Sequence, residues 1–150
     1  YYSVWNQLTG KNSGYGIKDI DLFYFDESDL SYEAEDVVIK RGSAAFAGLS
    51  VPVEIRNQAR VHLWYEKHFG VRCPKFENCR ESISRFASKT HAVGVKLKND
   101  GNLLFDAPFG LDSIFSFRIT PNYAADSRAT HRAKAERQMG LWRELTLVPW

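Results

Sequence analysis

Two aspartates interrupt an otherwise apolar run, Ile17-Lys18-Asp19-Ile20-Asp21-Leu22-Phe23-Tyr24-Phe25. Aspartate is disfavoured inside strands, yet the surrounding residues read as a buried strand. Residues two apart on a strand share a face, so both carboxylates aim at one spot, about 7 Å apart along the strand. Carboxylates held that close raise each other's pKa unless a cation lies between them. A divalent metal resolves the repulsion, and metal-assisted phosphoryl chemistry is its natural use.

Two-metal phosphoryl transfer needs ions roughly 3.5–4 Å apart, bridged by carboxylates, to activate the attacking oxygen and hold nucleotide phosphates. Asp19 and Asp21 supply two ligands, and a third is expected from a neighbouring strand. Glu54 is the candidate. It lies in Val51-Pro52-Val53-Glu54-Ile55-Arg56, where Val53 and Ile55 take one face and Glu54 and Arg56 the other. One helix separates it from Asp21, and such a connection can bring two strands together in one sheet.

The elements that must position these acids follow from pattern and punctuation. Tyr1 to Leu8 reads as a helix fragment stopped by Gly10. The Asp19/Asp21 strand, flanked by apolar residues, reads as a central one. A second helix is expected from a Ser28 cap, with Leu30, Ala34, Val37 and Val38 as its buried stripe and Gly42 as its stop. Glu33, Glu35 and Asp36 would form its solvated face. Ala59 to Phe69 reads as a helix ended by Gly70, and Ser82 to Phe86 as a shorter one. Ala92–Leu97 and Leu103–Phe105 flank Asp100-Gly101, a hairpin signal. Ile114 to Ile119 alternates like a strand, and Ala124 to Met139 is an alanine-rich basic helix.

Composition sets the bounds. With 150 residues, 44% hydrophobic and 25% charged, the chain suits one folded domain rather than a disordered one. No apolar run approaches the roughly 18 residues of a membrane span, and none resembles a signal peptide. A formal charge of +2 does not by itself imply nucleic acid. Cys73 and Cys79, spaced unlike a zinc site, read as two cytosolic thiols in a loop.

Helix, loop, Asp-hydrophobic-Asp strand, helix, then a strand bearing a third acid resembles the polymerase-β-like nucleotidyltransferase superfamily. More closely, the chain is similar to a family of small bacterial nucleotidyltransferase-like proteins of unsettled substrate. The likeness is carried by Val4-Trp5-Asn6-Gln7-Leu8-Thr9-Gly10, Lys18-Asp19-Ile20-Asp21, Tyr24-Phe25-Asp26 and Glu33-Ala34-Glu35-Asp36. It continues in the long segment Val53-Glu54-Ile55-Arg56-Asn57-Gln58-Ala59-Arg60-Val61-His62-Leu63-Trp64-Tyr65, in Ala107-Pro108-Phe109-Gly110-Leu111-Asp112 and in Pro121-Asn122. The resemblance implies an α/β domain of the α+β kind, spanning residues 1–150, with a small mixed sheet flanked by helices as in the polymerase-β palm. It implies that Asp19, Asp21 and Glu54 bind Mg²⁺ or Mn²⁺ and carry catalysis. The superfamily places a glycine followed by serine or glycine on the helix before the first acid. Residues 1 to 9 contain no glycine, so the chain is expected to begin after that segment.

The expected activity is transfer of a nucleoside monophosphate from an NTP to a small molecule, an RNA end or a protein side chain, in the cytoplasm. Lys18, Asn57 and Arg60 are candidates to contact the nucleotide. Arg60 has a planar fork that suits phosphate, although Asn57 would equally serve as a helix cap and Arg60 as surface charge. His62 is a candidate proton shuttle or a structural hydrogen-bonder. His68, His91 and His131 read as structural or exposed, and Asp112 as a cap or site residue. Two other functions remain open: a non-catalytic nucleotide- or metal-binding descendant, and a nucleic-acid binder using Arg128, Arg132, Lys134 and Arg137 of the last helix.

Overall fold

A computed structural model describes residues 1–150. Its elements run α1 (Tyr2–Leu8), β1 (Ile20–Tyr24), α2 (Tyr32–Ala45), β2 (Val53–Asn57), α3 (Val61–Phe69) and α4 (Cys79–Ile83). There follow β3 (Gly94–Leu97), β4 (Leu103–Asp106), α5 (Asp112–Phe115), β5 (Arg118–Ile119), α6 (Arg128–Met139) and β6 (Thr146–Leu147). Helices and short strands are thus mixed along the chain, as an α+β protein requires. The strands pair as three two-stranded ladders, β1–β2, β3–β4 and β5–β6. Two compact units result, one of Ile17–Ser82 and one of Tyr1–Gly16 with Ile83–Trp150. No helix is long and apolar enough to cross a membrane.

In the Ile17–Ser82 unit, β1 and β2 run parallel, with Ile20 opposite Val53 and Tyr24 opposite Asn57. β1 therefore has one partner strand and is not central, and Ile20 is exposed. In β2 the expected alternation holds: Ile55 and Asn57 are buried while Glu54 is exposed. The connecting helix departs from expectation. Its cap is Ser31, whose hydroxyl accepts from the Ala34 N–H at 3.2 Å. Ser28 is instead held by Asp26, whose carboxylate accepts from the Ser28 backbone and hydroxyl at 2.9 and 2.6 Å.

The helix also runs through Gly42, because that glycine lies against β2 rather than at a helix end. A Cβ at Gly42 would stand 1.9 Å from Ile55 Cδ1. The inward stripe is consequently Glu35, Ile39 and Gly42, at helical spacing, and Val37 and Val38 are exposed. α3 ends as expected at Gly70, left-handed with φ 70°. The short helix begins earlier than expected, at Cys79, because the Asn78 side chain accepts from the Glu81 N–H at 3.0 Å.

The other unit is built on Trp5, Ile114, Ile119, Ala135, Trp142 and Leu145. Both buried indoles are satisfied: Trp5 donates to the Ile114 carbonyl at 2.9 Å and Trp142 to Asn6 Oδ1 at 3.1 Å. Gly16 (φ 70°) allows the close approach of Trp142, whose ring would lie 2.4 Å from an added Cβ. The hairpin forms with Val95 opposite Phe105 and Leu97 opposite Leu103. The strand expected over Ile114–Ile119 is not continuous. α5 occupies Asp112–Phe115 and Phe117 adopts φ 52°, so only Arg118 and Ile119 extend beside β6. Burying Ile114 in the core takes precedence over the two-residue alternation, and Phe115 is left in solvent.

Candidate functional site

The parallel register sets Asp21 directly beside Glu54. Neighbouring strands lie about 4.8 Å apart, and laterally paired residues share a face. Asp19 stands just before β1, one residue ahead of Ile20, whose N–H donates to the Pro52 carbonyl at 2.9 Å and opens the ladder. The carboxylates are accessible: the Asp19 and Glu54 side chains are 32% and 51% exposed. Each has a cation at loose range, Lys18 Nζ at 3.7 Å from Asp19 and Arg56 at 3.8 Å from Glu54.

Behind this face, the ends of the two strands are locked by a buried polar cluster. Glu35 on α2 accepts from the Asn57 N–H at 2.8 Å through one oxygen and pairs with the Arg60 guanidinium through the other. Arg60 also donates from Nε to the Leu30 carbonyl at 2.8 Å. The Asn57 side chain bridges to Asp26, donating to its carbonyl at 2.7 Å and accepting from its N–H at 3.0 Å. It further accepts from the Ala59 N–H at 3.1 Å, capping the turn into α3. Burial and the charges of Glu35 and Asp26 hold the Tyr24 phenol above its ordinary pKa.

Glu35 therefore corrects the sequence reading, which placed it on the solvated face of its helix; it is 4% exposed. A carboxylate tolerates that burial because Arg60 and the Asn57 N–H satisfy both oxygens. Of the residues expected to contact the nucleotide, Asn57 and Arg60 are buried in this framework and the Lys18 ammonium is exposed to solvent. His62 has a buried Nδ1 with no hydrogen-bond partner. His91 and His131 are buried, against Gln138 at 2.9 Å and Ser88 at 2.7 Å. On α6, Arg132 is paired with Glu136 at 2.8 Å and Arg137 is bound to the Tyr2 hydroxyl.

A family model described as nucleotidyltransferase matches residues 1–147. The chain belongs to the nucleotidyltransferase family. A structure solved by NMR and described as a CCA-adding enzyme head domain superimposes with a TM-score of 0.73. It is 21% identical, and the match covers 98% of this chain and 76% of that one. At that identity the likeness establishes the nucleotidyltransferase fold. None of the curated proteins matches this chain.

For a nucleotidyltransferase, the donor chemistry of Asp19, Asp21 and Glu54 suits a hard divalent cation: accessible carboxylate oxygens, two of them contributed by paired strands. No three Asp, Glu, His or Cys side chains converge closely enough to enclose an ion by themselves. Mg²⁺ commonly binds through one or two carboxylates and completes its shell with water and substrate phosphates. What sequence reasoning missed in this nucleotidyltransferase is the Glu35–Arg60 pair. The signal was present in the spacing of Glu35, Ile39 and Gly42, one turn apart on a single helical stripe.

Proposed function

We propose that the protein is a Mg²⁺- or Mn²⁺-dependent transferase that moves a nucleoside monophosphate from an NTP to an acceptor hydroxyl. Asp19, Asp21 and Glu54 would hold the metal, and Glu54 would assist in taking the acceptor proton. The metal, when bound, supplies charge neutralisation at the phosphates. Lys18, exposed beside Asp19, would attract the triphosphate. The Glu35–Arg60–Asn57 cluster would keep the strand ends in register and so keep Asp21 beside Glu54. The observation that supports this reading best is the in-register pairing of those two acids in a chain of the nucleotidyltransferase family.

The test is pyrophosphate release from each of the four NTPs with Mg²⁺ and hydroxyl acceptors supplied as small molecules, RNA ends and protein, alongside calorimetric titration of Mg²⁺. Wild-type protein should bind Mg²⁺ and turn over at least one NTP, and Asp21→Asn should lose both. Mg²⁺ binding without turnover would support the non-catalytic binder instead, and unchanged binding in Asp21→Asn would remove the metal assignment.

A further inference from the structure

Glu54 borders a second feature that the metal face does not use. A groove of about 480 Å³ opens along β2 between α2 and α3, wholly within the Ile17–Ser82 unit. That volume is in the range of small-molecule sites. Glu54 and Arg56 line it from the strand, Tyr32 from α2, and Trp64, His68 and Phe69 from α3. No residue of β1 lines it, so it approaches Glu54 from the side away from Asp21.

Its walls carry the rings of Tyr32, Trp64, His68 and Phe69. Tyr32 and Phe69 are more than half exposed, and Trp64 lies 6.2 Å from His68 and 6.3 Å from Phe69. Exposed rings grouped in a concavity offer stacking faces to a planar ligand. The groove also holds one accessible cation. Arg60 is spent on Glu35, whereas the Arg56 side chain is 42% exposed, donates one hydrogen bond to the Ile55 carbonyl and meets Glu54 only at 3.8 Å. A metal drawing on the Glu54 carboxylate would weaken that loose pair and leave Arg56 available to an anion.

We propose that this groove is the acceptor site, and that the acceptor carries a planar heteroaromatic base and a phosphate: the base stacks on Trp64, and the phosphate meets Arg56. This rests on the transferase reading above, in which Glu54 takes the acceptor proton. The same chemistry is presented by a free nucleoside monophosphate and by the end of an RNA strand.

The experiment titrates the full chain calorimetrically with AMP, adenosine, ribose 5-phosphate and a short oligoribonucleotide, without NTP. Trp64→Ala should weaken AMP and adenosine about tenfold or more, while Trp64→Phe, which keeps a ring, should restore most of the affinity. Arg56→Gln should weaken AMP and leave adenosine unchanged. Leu63→Ala, on the exposed side of α3, should alter nothing, and thermal melts confirm that each variant folds. Oligonucleotide binding much tighter than AMP, with the same dependence on Trp64, would identify an RNA end; binding equal to AMP, a free nucleotide. AMP affinity indifferent to both Trp64→Ala and Arg56→Gln, or no binding at millimolar AMP, overturns the proposal. So does displacement of AMP by ATP, since the groove would then hold the donor base. Asp21→Asn separates the two readings: it should abolish Mg²⁺ binding while AMP still binds without metal. Loss of the metal with a groove that ignores AMP sinks only the acceptor site; an unchanged metal titration sinks only the metal centre.

Discussion

The Glu35 carboxylate, on the helix between the two acid-bearing strands, accepts the Asn57 backbone N–H three residues beyond Glu54. One buried side chain thereby joins α2 to the end of β2, and Arg60 returns the charge from the start of α3. Removing one partner of such a pair strands the other in a poorly solvated place.

Arg60→Met should accordingly destabilise the fold by about 3–5 kcal/mol, since the Glu35 charge stays buried. Adding Glu35→Gln should recover part of the loss, because the amide oxygen still accepts from Asn57. Urea unfolding of the single and double variants measures the coupling.

Gly42→Ala should destabilise, against the usual preference of helices for alanine, which is worth about 1 kcal/mol. The added methyl would overlap Ile55 Cδ1, and overpacking of this kind costs about 1–3 kcal/mol. Ile55→Val deletes the clashing atom, so the double variant should match or exceed Gly42→Ala alone in thermal midpoint. Were the double variant less stable still, the close approach of α2 to β2 would be wrong.

Glu54→Gln keeps shape and removes charge at an exposed position. Stability should move by less than about 0.5 kcal/mol. NTP turnover should fall on the order of a hundredfold or more, given the several kcal/mol that metal-borne charge stabilisation supplies. Steady-state pyrophosphate release beside a thermal melt distinguishes this loss from unfolding.

Acid should weaken the Tyr1–Gly16 and Ile83–Trp150 unit through its buried imidazoles. Burial pushes His91 down to about 3, opposed by its bond to Gln138, and burial lowers His131 as well. Below the ordinary histidine value of 6.5 the unfolded chain takes up a proton that the folded His91 refuses. For His91, stability therefore falls as pH drops from 6.5 towards 3, with a slope approaching about 1.4 kcal/mol per pH unit. His91→Asn should flatten the dependence of the unfolding midpoint between pH 6 and pH 4, and His131 should keep it from vanishing.

The pairing of Asp21 with Glu54 was legible in the sequence because its signal is local. Charge set into an apolar run, the alternation around Ile55 and one intervening helix suffice to put Asp21 beside Glu54. The hairpin at Asp100-Gly101 was legible for the same reason. What escaped depends on partners far along the chain. Glu35 is buried only because Arg60 and Asn57 lie opposite, and Gly42 continues its helix only because Ile55 presses on it. Ile114 abandons the strand pattern to pack beneath Trp5, a residue more than a hundred positions away.

Parallel neighbours cannot be joined by a tight turn, so all of α2 serves as the tether between Asp21 and Glu54. The two acids are consequently far apart in the nascent chain and adjacent only after the crossover has docked. A protease cut anywhere in that tether would leave each acid on a separate fragment.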